Sequence, residues 1–278
     1  MFKIGFIDYY LDEWHANNYP EWIKKATNGE MQVTHAWAQI DSPKGGLTTD
    51  AWCEKYGIEK CDTMEELIAA CDGLIVLSPD NAEMHLSLCE KPLQSKKPVY
   101  VDKTFAPDEE TAKKIFAFAE SSGTPCYSTS ALRYAKEYTD LDQAKIKGIT
   151  TWGPASMEIY SIHQLEPITM LMQARGKRVL YVPGDGFGTL NMEFVDGRTA
   201  AMTHFEAGAP FMAHVCMEGG NQALNVQSDF WAVFIRVLVD FFRTGKEPVP
   251  HQETLNVIAL REAGMKAVEK PFEWVALP

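Results

Sequence analysis

The sequence predicts an α/β chain in two parts: a doubly wound parallel sheet over residues 1–130 and an α+β part with a mainly antiparallel sheet over residues 131–278. Three observations predict it. Short apolar runs alternate with helix-patterned segments through the first part, at the spacing of strand–helix units. From Gly188 onward, strand-like runs follow one another in hairpin order. Between the first two of these stands Asp196-Gly197, a tight-turn pair.

Taken in order, Lys3–Ile7 is a buried strand, and the polar, aromatic stretch after it becomes helical over Tyr19–Ala26, with Pro20 suited to a first turn. Met31–Ile40 is a second strand, ending in Asp41. Thr49–Tyr56 is helical and stopped by Gly57. Thr63 and Glu66 form a capping-box pattern ahead of a helix reaching Cys71. Leu74–Leu77 is a continuous apolar run, as in a strand covered on both faces. Asn81–Leu93 is helical and Val99–Val101 is a short strand. Asp108–Ser122 is an amphipathic helix with Ala112, Ile115, Phe116 and Ala119 on one side, and Thr124–Ser128 is a further strand.

The pattern changes after Arg133. Tyr134–Lys145 reads as helix and Gly148–Trp152 as strand. Thr189–Val195, Thr199–Glu206, Phe211–Glu218 and Ala223–Gln227 supply the antiparallel strands. Two apolar helices, Trp231–Phe242 and Gln252–Val268, flank the break Glu247-Pro248-Val249-Pro250, the C-terminal helix being a candidate to return to the first part.

Hydrophobic residues make up 46% and charged residues 23% of the 278, enough for an ordinary core without metal or disulfide staples. A net charge of −12 argues against nucleic acid or an anionic membrane as partner, since phosphate contacts need basic surface. No run is long enough to span a membrane. The six cysteines are scattered and lack a C-x-x-C pair, so free thiols in a reducing, cytoplasmic compartment are expected and zinc is not. His204, Glu206 and His214 read as solvated or interface positions rather than metal ligands.

Chemistry is most visible where Val99-Tyr100-Val101 ends in Asp102-Lys103. The carboxyl ends of strands are where open α/β sheets bind ligands, and a lysine desolvated there can lend its proton to a reaction. On its own, Lys103 reads more simply as a solvated lysine in a strand–helix loop.

Several segments together carry a resemblance. Ser78-Pro79-Asp80-Asn81 followed by His85 looks like a T-P-N-x-x-H turn. Val101-Asp102-Lys103-Thr104 stands where an E-K-P motif is expected, and Ala131-Leu132-Arg133 where an N-x-R segment is common. With the stretch from Phe241 through Pro250 to the helix around Leu255–Ala267, these resemble the glucose–fructose oxidoreductase/inositol dehydrogenase/MocA (Gfo/Idh/MocA) family of NAD(P)-dependent sugar oxidoreductases. The resemblance implies a Rossmann-like first domain. It makes Lys103 the lysine that contacts the reacting hydroxyl and His163 the base. It sets Asp8, Asp41, Ser78, Pro79, His85 and Asp102 toward an NAD or NADP cofactor, and Arg133, Glu158 and Glu166 toward a carbohydrate-like substrate. Pro167 suggests a helix starting close to Leu165, which would put His163 at the positive helix end and favour its neutral form.

The chain departs from the family at two places. After the first strand a dinucleotide site needs a glycine-rich turn so that backbone N–H groups approach the pyrophosphate. Here only Gly5 remains, within the strand, and Asp8, Tyr10 and Asp12 bring bulk and negative charge. Ile159 stands where the family often has an aspartate four residues before the histidine. The expectation is therefore an oxidoreductase acting on a sugar or polyol hydroxyl, with Lys103 and His163 as acid–base pair and NAD(P) bound atypically. The alternatives are a lyase or isomerase on a keto-sugar without a dinucleotide, and a non-catalytic binding subunit. Self-association through the antiparallel strands is expected in each case.

Overall fold

The computed structural model describes residues 1–43 and 45–278, and the chain divides into two units. The first comprises residues 1–128 and 234–251, the second residues 129–233 and 252–278.

In the first unit the chain runs β1 (Phe2–Asp8), α1 (Trp14–Ala26), β2 (Met31–Ala38), α2 (Thr49–Tyr56), β3 (Glu59–Lys60), α3 (Met64–Ala70), β4 (Gly73–Val76), α4 (His85–Cys89), β5 (Val99–Val101), α5 (Glu109–Ser122) and β6 (Cys126–Tyr127). The strands pair in the order β3-β2-β1-β4-β5-β6, all parallel. Strand order reverses between β1 and β4, so the crevice outside their carboxyl ends is the ligand-binding edge of such a sheet. Ile4, Phe6, Ile7, Leu74, Ile75, Val76, Val99 and Val101 are fully buried, which is why these strands read as unbroken apolar runs. Gly5 makes a close approach possible: a Cβ there would stand 2.5 Å from Leu67 Cδ2, so its absence lets α3 lie on β1. The one glycine left near the expected turn thus serves packing.

Residues 234–251 complete this unit's aromatic core. Phe234 packs against Tyr19 and Tyr100, with ring centroids 5.7 and 5.6 Å away. Phe241 meets Tyr127 at 4.7 Å and Phe242 meets Phe2 at 5.9 Å.

The second unit contains α6 (Lys136–Thr139), β7 (Ile146–Pro154), α7 (Met157–Met172), β8 (Gly176–Gly184), β9 (Phe187–Phe194), β10 (Thr199–Phe205), β11 (Met212–Met217), β12 (Gly220–Asn225), the start of α8 (Phe230–Thr244), nearly all of α9 (His251–Glu269) and β13 (Trp274–Ala276). Its sheet runs β12-β11-β7-β10-β9-β8-β13, antiparallel except where β10 pairs with β7 in parallel. The Asp196-Gly197 turn joins β9 to β10, with Gly197 at φ +85°. No helix among the described residues is long and apolar enough to cross a membrane.

Several expectations need correction. The helix after β1 begins at Trp14 and continues through Pro20, because Glu13 caps it. The stretches read as helices over Asn81–Leu93 and Tyr134–Lys145 are short helices broken by 3₁₀ turns. Strands β8 and β13 were not expected at all: the Lys177-Arg178 and Pro183-Gly184 pairs hide β8, and β13 has three residues. His204 is not solvated but lies on the inward face of β10, its Nε2 2.8 Å from the Tyr181 hydroxyl.

Candidate functional site

In the first unit, chemistry gathers at the carboxyl ends of β1, β4 and β5. The Asp102 N–H donates to the Val76 carbonyl at 2.8 Å, so the β5 ladder is continued one residue and its last side chains are fixed. Lys103 follows, partly buried, with Nζ donating to the Pro79 carbonyl at 3.4 Å. The Lys103–Thr104 peptide is cis. Ser78 sits at φ +79°, an unusual backbone for a residue with a Cβ, and its hydroxyl donates to the Asn81 carbonyl at 3.1 Å. His85 is completely buried, with Nδ1 3.0 Å from the Phe105 carbonyl and Nε2 on the Leu77 carbonyl. It ties the end of β4 to the loop that carries Lys103, a positioning role. Burial holds its pKa below the usual value, although both carbonyls pull the other way.

The turn between β1 and α1 is filled by a polar network. Glu13 is the N-cap of α1: its carboxylate accepts the N–H groups of His15, at 2.7 Å, and Ala16. His15 Nδ1 lies 3.2 Å from Glu13 Oε2 and 3.4 Å from Asp102 Oδ2. The Tyr100 hydroxyl donates to Asp102 Oδ1 at 3.0 Å. Glu13, His15 and Asp102 are all buried. Asp12 accepts the Leu47 N–H at 2.8 Å and the Asn17 side-chain amide at 3.1 Å, which fastens the turn from its other side. Asp41 lies three residues past the end of β2 and accepts the Thr49 N–H at 2.7 Å.

Asp8, the last residue of β1, is 1% exposed and its Oδ2 has no hydrogen-bond partner among the described residues. Burial and then the neighbouring Glu13 charge raise its pKa well above the ordinary carboxylate value. Its folded-state pKa exceeds the unfolded one, so its stabilising share is complete below the unfolded value and is lost as pH rises through the folded one. Asp8→Asn supplies the neutral form at every pH. We expect it to gain about 1–3 kcal/mol at pH 8, the usual penalty of an unsatisfied buried polar group. The gain should shrink as pH falls toward 4, and urea denaturation across that range measures it. A gain that is constant with pH would show that Asp8 is not the titrating group.

These residues do not fit a pyrophosphate in its usual seat. That seat is made by backbone N–H groups in the first turn of the helix after β1. Here two of them are already bonded to a carboxylate, with Asp8 buried close enough to Glu13 to feel its charge.

In the second unit, α7 begins at Met157 with Ser156 capping the Ile159 N–H, and Pro167 lies inside it. His163 is therefore well inside the helix, and the expectation that its positive end favours neutral imidazole does not hold. Pro167 has no N–H to offer the carbonyl four residues back, that of His163, yet the helix continues. His163 Nδ1 is 2.8 Å from the Ser130 hydroxyl oxygen, and the Tyr160 and Phe211 rings lie 5.0 and 6.2 Å away. Ile159 is 57% exposed, so the position where an aspartate was sought points to solvent, and Ser130 is a polar neighbour of His163. Sequence separation of 33 residues hid that contact.

Arg133 and Glu166 are placed against each other. Arg133 Nη1 is 3.0 Å from Glu166 Oε1, and Nη2 bonds Glu253. Thr129 donates to Glu166 Oε1 at 2.8 Å. Both members of the pair are buried, and burial raises the Glu166 pKa against the pull of Arg133. Glu158 is exposed in the first turn of α7, its backbone carbonyl accepting from Arg261 at 2.9 Å.

Residues 16–130 match the family model GFO_IDH_MocA, described as an oxidoreductase family with an NAD-binding Rossmann fold. The match begins after β1 and its turn. Among solved structures, the chain is similar to myo-inositol dehydrogenase from Lactobacillus casei in complex with NAD(H) and myo-inositol, with TM-score 0.81, 13% identity and coverage of 100% of this chain and 97% of that one. It is similar to UDP-N-acetylglucosamine 3-dehydrogenase GnnA from Acidithiobacillus ferrooxidans, with TM-score 0.78, 14% identity and coverage of 98% and 99%. Apo scyllo-inositol dehydrogenase from Lactobacillus casei gives TM-score 0.78, 14% identity and coverage of 99% and 98%. At such identities the likeness is one of fold. Among curated proteins no sequence matches.

Proposed function

We propose that this chain, whose residues 16–130 match the Gfo/Idh/MocA oxidoreductase family model, interconverts a secondary alcohol and its ketone on a sugar or polyol. The family match is the observation that carries the reading. Support for the substrate class comes from the structural neighbours, among which are dehydrogenases of inositols and of a nucleotide sugar. The family's electron acceptor is a nicotinamide dinucleotide, which this chain would hold by contacts other than the first turn of α1.

Oxidation of a secondary alcohol requires that the hydroxyl proton leave as the carbon is oxidised. In this reading Lys103 contacts the reacting hydroxyl and His163 takes its proton. Ser130 supports the second role: an Nδ1–H donated to its hydroxyl oxygen leaves Nε2 as the proton-accepting nitrogen.

A second reading, lyase or isomerase chemistry on a keto-sugar, is favoured by one observation, the Glu13 carboxylate on the N–H groups of α1. It keeps the same two residues for proton transfer. One assay separates the two. Inositols, hexoses and their keto derivatives are offered with and without NAD⁺ or NADP⁺, followed by nicotinamide absorbance and by proton NMR of the sugar. Turnover only with dinucleotide supports oxidoreduction. Conversion of a sugar without any dinucleotide replaces it with the second reading.

A further inference from the structure

We infer that Glu13 is an internal stand-in for a pyrophosphate: its carboxylate closes the anion seat at the start of α1, so this chain does not hold a dinucleotide there. The inference rests on the family reading only for where that seat lies.

The N-terminal turn of a helix offers N–H groups with no partner within the helix, and anions gather there. The usual occupant in a capped helix is a short side chain such as Ser, Thr, Asp or Asn, which satisfies one N–H. Glu13 is longer, and its two oxygens take two groups at once, Oε2 that of His15 and Oε1 that of Ala16. This is the two-pronged arrangement that a phosphate would adopt with the same donors.

Glu13 is also held from behind. His15 Nδ1 stands between Glu13 Oε2 and Asp102 Oδ2, and Asp102 in turn receives the Tyr100 hydroxyl. The first turn of α1 thereby lies against the end of β5, although Asp102 Oδ2 itself has no hydrogen-bond partner among the described residues. Withdrawing Glu13 would strand two N–H groups and loosen His15, so the carboxylate is a built part of the fold rather than a loose loop side chain.

Charge points the same way. A pyrophosphate brought to this turn would meet Asp8, Asp12 and Glu13. Asp8 has a buried oxygen without a hydrogen-bond partner among the described residues, so an added anion would bring further acceptors to a place where one already lacks a donor.

The test uses the full chain and two substitutions. Glu13→Ser retains a capping oxygen but removes the charge and clears the seat. Glu13→Asp keeps both charge and cap. ADP and inorganic pyrophosphate are titrated by calorimetry, and the His15 and Ala16 amides are followed by nitrogen–proton NMR. Wild type and Glu13→Asp should leave both amides unmoved at millimolar ligand, whether or not ADP binds at another place on the chain. Glu13→Ser should bind at least about tenfold more tightly, with both amides shifting, since a charged acceptor is removed from two strong donors. Saturable binding of ADP by the wild type with movement of those amides would overturn the inference, and this holds even if the serine variant fails to fold. A folded serine variant that gains nothing would overturn it as well. Failure of the functional reading looks different: no sugar is turned over under any condition, while the ADP titrations still come out as stated.

Discussion

Lys103→Ala should lower kcat on the substrate by about 10²–10⁴-fold and leave KM nearly unchanged, the usual range for loss of a positioned proton-transfer group. The expectation follows from how the lysine is mounted. Its backbone position is set by the β5 ladder, by the Asp102 N–H on Val76, and by His85 holding the Phe105 carbonyl. None of these uses the lysine side chain, whose hydrogen bond among the described residues is the 3.4 Å contact with the Pro79 carbonyl. Truncation therefore removes the ammonium and leaves the frame. A loss of folding would point instead to a structural lysine, and circular dichroism distinguishes the two. His163→Ala should fall in the same range. If both variants turn over as fast as the wild type, neither residue moves the proton.

Arg133→Met destabilises the chain by about 3–5 kcal/mol at neutral pH, because it leaves a buried carboxylate without its cation. Glu166 is 3% exposed and bonded to Arg133 at 3.0 Å, with Thr129 as its other donor. Glu253 loses a partner too, but it is partly exposed and water can replace the arginine. Glu166 already has a raised folded-state pKa, from burial first. Without Arg133 it rises further, and a group of that kind gives its stabilising share at low pH and loses it as pH rises through the folded value. The deficit should then shrink between pH 7 and pH 5. The double variant Arg133→Met with Glu166→Leu should recover most of it, since an apolar pair of similar volume avoids the desolvation of both charges. Urea denaturation at the two pH values measures each step, and a deficit independent of pH would exclude Glu166 as its source.

Much of the first unit was legible because its signals are local. Thr63 and Glu66 form the capping box that their spacing announced, and Gly57 ends α2 at φ +64°. Leu74–Val76 and Val99–Val101 are buried on both faces, so nothing in their composition alternates. Prolines misled twice. Pro20 and Pro167 each suggested a helix start, whereas both helices begin earlier at side-chain caps, Glu13 and Ser156. Each helix starts at its cap and continues past the proline, leaving one carbonyl without its intrahelical N–H. At the candidate site, Lys103 was visible because a lysine directly after an apolar run marks a strand end. The Glu13–His15–Asp102 network was not, since it joins residues nearly ninety positions apart that only the sheet order brings together. The acidic turn was noticed as an obstacle to phosphate, but not that one of its members already occupies the donors.

The passage of residues 234–251 back into the first unit bears on how such a chain is inherited. Each unit is assembled from two separate lengths of sequence, so neither corresponds to a single exchangeable cassette. Recombination at the boundary near residue 128 would transplant the sheet without Phe234, Phe241 and Phe242, whose rings cover Tyr19, Tyr100, Tyr127 and Phe2. Large aromatic surfaces would be left wet on one product and stranded on the other. A chain built this way tolerates substitution within an intact gene more readily than the trading of halves.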